Sequence, residues 1–104
     1  MQLWMALHDH GLDATLAAAA GEDAALLAEL RAIFFESLER QIDLLKRARC
    51  DGNWRVAAQR LKSLGASFHA PDLLALADEA LDGAPGDPAI VRKLERFAGE
   101  IPPA

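Results

Sequence analysis

Tyrosine is absent from this chain, cysteine occurs once, and valine and isoleucine are scarce. Each shortage closes off a class of structure. Pleated strands favour β-branched and aromatic residues, so their scarcity argues against a sheet. A single cysteine, Cys50, rules out an internal disulfide and any cysteine-rich zinc site. One free thiol suits a reducing compartment. No apolar run approaches the roughly 20 residues that a membrane span needs. Residues 1–10 lack the basic start and cleavage pattern of a secretory signal. The expected location is therefore the cytoplasm, with no membrane partner. There is no Gly-rich phosphate loop, no cluster of catalytic carboxylates and no nucleophile–base pair, so no enzyme is expected. Nor is any cofactor or metal site.

What the chain does hold is alanine, leucine and charge. Apolar residues make up 52% of its 104 residues, and residues 17–20 are four alanines in a row. Alanine is the best helix former and lets helices pack closely. The expected fold is all-α, a single domain over residues 1–104 large enough to bury a core without disulfides or metal.

Punctuation divides the chain. Asp13 is placed to cap a short N-terminal helix that runs to Gly21. Glu22 and Asp23 then set negative charge in the first turn of a long helix ending near Cys50. That helix carries Leu26, Leu30, Ile33, Phe34, Leu38, Ile42 and Leu45 at spacings of three and four. Asp51-Gly52-Asn53 breaks it, with Asn53 the expected cap of the next. There the apolar stripe is Trp54, Ala57, Ala58, Leu61, Leu64, Gly65 and Phe68. Pro71 closes this helix and opens a third, buried through Leu73, Leu74, Leu76, Ala77 and Leu81, with Gly83 at its end. Asp87-Pro88 opens the last, whose core side is Ile90, Val91, Leu94, Phe97 and Ile101. Four amphipathic helices joined by short loops predict an antiparallel four-helix bundle with a short N-terminal helical extension.

Net charge is −5 and the pI near 5.0, which argues against nucleic acid as a partner. The distribution says more than the total. Lys46, Arg47, Arg49, Arg55, Arg60 and Lys62 are six of the 11 basic residues, with only Asp51 opposing them in that stretch. A local basic surface on an acidic protein suits an acidic protein partner. The plain alternative is a solvated charged face. At about 100° per residue, Arg55, Gln59, Lys62, Ser63 and Ala66 share the outer side of the second long helix, opposite the Trp54–Leu61–Phe68 stripe. Gln59 lies at the centre with a cation one turn either way, above a floor of small residues.

The run Ala58-Gln59-Arg60-Leu61-Lys62-Ser63-Leu64-Gly65-Ala66-Ser67-Phe68-His69-Ala70-Pro71-Asp72-Leu73 resembles the signature of histidine-containing phosphotransfer (HPt) domains. In that family the run reads A-H-x-L-K-G-S-x-x-x-x-G-A-x-x-L, and its histidine receives and donates a phosphoryl group. Ala58, Leu61, Lys62, Ala70 and Leu73 fit, and the resemblance covers roughly residues 22–101. It implies a four-helix bundle that docks a response-regulator receiver domain or a histidine kinase. The partner-binding residues it implies are Arg55, Gln59, Arg60, Lys62, Ser63 and Ala66, with Lys62 helping to neutralise charge.

Three departures from the pattern matter. Gln59 replaces the histidine, Ser63 the glycine one turn on, and His69 the second glycine. An amide nitrogen has its lone pair delocalised into the carbonyl and is no nucleophile at neutral pH. The expectation is thus a phosphorelay signalling module that docks its partner without carrying phosphate. Two alternatives remain: a phosphotransfer protein that uses another histidine, and a plain helical interaction or dimerisation module. His69 lies ten residues from Gln59 and rotated away from it, while His8 and His10 belong to the N-terminal piece.

Overall fold

The computed structural model describes residues 23–101 together with Leu16, Ala18, Ala20 and Gly21. Among these, every regular element is helical, and four helices form the bundle: α1 (Ala24–Arg47), α2 (Asp51–Ser67), α3 (Pro71–Asp82) and α4 (Pro88–Gly99). Leu16, Ala18 and Ala20 are helical as well, and Gly21 turns the chain with a left-handed φ of 65°. The expected cap Asp13 lies outside the described residues, as do His8 and His10.

Named pairs fix the antiparallel register. Phe34 of α1 meets Phe68 at the far end of α2 edge-to-face, with ring centroids 5.0 Å apart. The other end of α1 lies beside the start of α2, where Leu44 and Arg47 share a cleft with Asn53 and Val56. Between α2 and α3, Trp54 reaches Ala80 and Gly65 abuts Leu74. Lys46 of α1 pairs with Glu95 of α4 at 3.1 Å, and Lys93 of α4 with Glu79 of α3 at 2.7 Å. Each helix thus packs on its chain neighbours, and the first closes on the last.

The core has two kinds of side chain. Phe34, Leu38, Leu45, Leu61, Leu73, Leu94 and Leu16 fill it, while Ala57, Ala58, Ala77 and Ala80 let helices approach. Gly65 marks a close approach of α2 to α3: a Cβ there would lie 3.1 Å from the backbone nitrogen of Leu74 and 3.4 Å from the carbonyl of Ala70. Trp54 is buried between α2 and α3, and its indole Nε1 donates to the Ala80 carbonyl at 2.8 Å. That carbonyl belongs to the last turn of α3, where the intrahelical donors run out.

Four sequence expectations need correction. Asp23 is not in the first turn of α1 but caps it, its carboxylate accepting from the backbone N–H of Ala25 and Leu26 at 3.0 and 3.1 Å. α1 ends at Arg47, so Cys50 stands at the N-cap of α2 instead of the end of α1. Asn53 is therefore inside the first turn of α2, and Asp51 supplies the negative charge that the helix dipole favours there. Ile33 is 52% exposed and Leu26 37%, because the buried row Phe34–Leu38–Ile42–Leu45 leaves each about a quarter-turn outside it. Pro71, Gly83, Asp87 and Pro88 hold the terminal positions read from the sequence, and the Asp87 carboxylate accepts from Ala89 N–H at 2.9 Å.

The end of α2 carries backbone strain. Ala70 N–H donates to the Gly65 carbonyl at 2.8 Å and His69 N–H to that of Ala66 at 3.3 Å, the paired bonds of a Schellman termination. His69 occupies its left-handed position with φ 51°. A non-glycine residue there costs about 1–2 kcal/mol, and glycine loses back about 0.5–1 through its unfolded-state freedom. His69→Gly should therefore raise stability by about 0.5–1 kcal/mol, read as a higher thermal midpoint. A lower midpoint would show that the contacts of the imidazole outweigh the strain.

Candidate functional site

α2 buries one side and presents the other. Trp54, Ala57, Ala58, Leu61 and Gly65 face the core, and this rotation leaves Arg55, Gln59, Arg60, Lys62, Ser63 and Ala66 all exposed. The six expected site residues thus share a solvent face of one helix. The structure draws four of them into a tighter group. Arg55, Gln59, Arg60 and Ser63 line a shallow depression of about 350 Å³, with Val56 as its apolar wall. Lys62 and Ala66 lie on the same face outside it.

Lys62 is engaged elsewhere. Its ammonium pairs with the Asp78 carboxylate of α3 at 2.8 Å. The hydrogen bond to Asp78 and then the charge of that carboxylate hold Lys62 above the ordinary lysine range, and Asp82 one turn on adds to the effect. Both partners are about half exposed, so the pair fixes where the ammonium points more than it stabilises the fold. Arg55 and Arg60 make no ion pair among the described residues, which leaves them as the cations available beside Gln59.

Chemically, the face offers hydrogen-bonding groups and two arginine cations. Gln59 offers an amide, a donor and an acceptor without a nucleophilic lone pair. Ser63 has a hydroxyl but no base is described beside it. His69 lies ten residues along, about 15 Å by helical rise, past the end of α2. Among the described residues no group of three His, Cys, Asp or Glu is arranged to hold a metal ion, and no helix is long and apolar enough to cross a membrane. A larger cleft of about 520 Å³ separates α1 from α4, but it gathers no comparable set. Lys46 spans it to Glu95, while Glu39 and Asp43 leave the rest of its lining acidic.

Val56 is the residue that sequence reasoning missed. It is 48% exposed at the edge of the Gln59 group. The signal was present: Val56 falls two residues after Trp54 and two before Ala58, off the core stripe, where a valine has nothing inside to pack against. A further departure from the HPt pattern also shows. Leu64, half-buried against the core, stands where the pattern has serine.

Comparison of the chain with protein-family models, with curated proteins and with solved structures finds no match.

Proposed function

We propose that this chain is an HPt-like signalling module of a two-component phosphorelay, whose α2 face docks a receiver domain or histidine kinase without carrying phosphate. The observation that carries the reading is Gln59 itself. It sits exposed on the face beside Arg55 and Arg60, which make no ion pair among the described residues, where the HPt pattern has its phospho-accepting histidine. A second observation supports the alignment. The pattern has glycine at position 69, and here that position takes the left-handed conformation glycine favours, although the residue is histidine.

Glutamine roughly matches an unmodified histidine in length and polarity, so a docking contact survives while the transferable group is lost. Arg55 and Arg60 face the acidic pocket of a receiver, and Ser63 leaves room for its loops. Lys62 contributes less than the sequence pattern implies, because Asp78 already neutralises it.

The test is binding of purified receiver domains to the chain and to its Arg55→Glu/Arg60→Glu variant. Opposed like charges across an interface cost several kcal/mol, so affinity should fall at least about tenfold. Lys62→Met should weaken binding less. Unchanged affinity in the double variant would remove the face from the contact.

A further inference from the structure

Among the described residues, four large apolar side chains remain exposed: Leu26, Ile33, Leu44 and Val56. Their placement is not scattered. Leu26, Ile33 and Leu44 are separated by seven and eleven residues, close to whole numbers of helical turns, so they form one stripe along α1. The stripe runs beside the buried row of Phe34, Leu38, Ile42 and Leu45, on the side toward α2. At its C-terminal end Leu44 and Val56 line a cleft of about 330 Å³ between α1 and α2, together with Arg47, Ala48, Asn53, Ala57 and Arg60. Val56 and Arg60 line the depression around Gln59 as well, so the two hollows adjoin across these side chains. A lone exposed leucine needs no explanation, but Leu44 and Val56 share one cleft with a polar rim, the arrangement of an interaction surface.

Charge selects what fits there. The cleft walls include two arginines and no carboxylate, on a chain of net charge −5. Arg60 is unpaired among the described residues, whereas Arg47 bonds to Asp43 at 2.9 Å one turn back on its own helix. An occupant that brings a carboxylate therefore finds the Arg60 guanidinium waiting. Length selects too. Leu26 and Leu44 are 18 residues apart, about 27 Å by helical rise, a span suited to a helix laid along the seam. A second copy of this chain is a poorer occupant, since a symmetric contact would set the arginines of one copy against those of the other.

We propose that the seam from Leu26 through Ile33 and Leu44 to Val56 seats an amphipathic helix of a partner protein, apolar along the seam and carboxylate-bearing where Arg47 and Arg60 stand. The seat uses neither position 59 nor phosphate, and it extends the docking surface from α2 onto α1.

A displayed library of randomised 18-residue helical peptides, selected against the full chain, tests this directly. Enriched peptides should carry leucine, isoleucine or phenylalanine at helical spacing with flanking glutamate or aspartate. Their affinity should fall at least tenfold for Leu44→Asp, for Val56→Asp and for Arg60→Glu. All three side chains are exposed, and an unchanged helical circular-dichroism spectrum checks that the variants fold. The proposal is overturned if no peptide is enriched, if enriched peptides show no acidic bias, or if they bind the Leu44 and Val56 variants as well as the parent. Peptides that bind the seam of a chain no receiver recognises would uphold this seat while removing the receiver reading. Receiver binding that survives Leu44→Asp and Val56→Asp, with no peptide enriched, would do the reverse.

Discussion

Replacing Trp54 with alanine should destabilise the bundle by about 3–5 kcal/mol, the range for removing a large buried aromatic side chain. Two losses combine. The indole leaves a cavity between α2 and α3, and Ala80 loses the Nε1 donor at 2.8 Å, keeping only a longer bond from Gly83 N–H at 3.3 Å. Small domains are stable by about 5–15 kcal/mol, so a large share of the total goes. The thermal midpoint should drop on the order of 15 °C or more. Trp54→Phe separates the two losses, since phenylalanine keeps much of the apolar volume and lacks the donor. It should cost about 1–2 kcal/mol. Denaturant unfolding of the three proteins side by side checks both values, and a loss below 1 kcal/mol for the alanine variant would mean that the contact between α2 and α3 is not part of the core.

The fold could be read from the chain because its signals are local. Apolar spacing of three and four residues, a proline at the first position of α3 and α4, and Asp87 ahead of Pro88 each act within one turn, and each stands where it was expected. What could not be read is how far each helix rotates about its own axis. Ile33 fits the α1 periodicity as well as Phe34 does, and only the position of α2 and α4 decides that Phe34 goes inside. The boundary between α1 and α2 was misplaced for a related reason. Asp51, Gly52 and Asn53 are all turn-forming types, yet Asp51 also suits a helical first turn, and the break falls at residues 48–50, where Ala48 and Cys50 are extended.

The candidate face was visible for the same local reason, since helical geometry alone places Arg55, Gln59, Ser63 and Ala66 on the side away from Trp54. Its electrostatics were not. Lys62 and Asp78 are 16 residues apart on different helices, and nothing in the sequence says that they meet at 2.8 Å. The same holds for the cleft between Leu44 and Val56, which exists only because α1 and α2 pack with those two side chains at their shared edge. His69 shows the opposite case. The sequence pattern marks it as a departure, and the backbone at φ 51° shows why glycine suits that position.

The measurement that bears most directly on the account is phosphoryl transfer from labelled receiver domains to the chain and to its Gln59→His variant. In the variant a neutral imidazole nitrogen attacks the phosphorus of the receiver's aspartyl phosphate. The bond from phosphorus to the carboxylate oxygen breaks, the carboxylate leaves, and the imidazole ring gives up its surplus proton to solvent. The natural glutamine has no lone pair for that attack. The account predicts acid-labile label on the variant alone, which requires the docking face to be intact and position 59 to be the missing acceptor. Label on the unmodified chain would contradict it, pointing to another acceptor such as His69, and label on neither protein would contradict the receiver-docking scaffold itself.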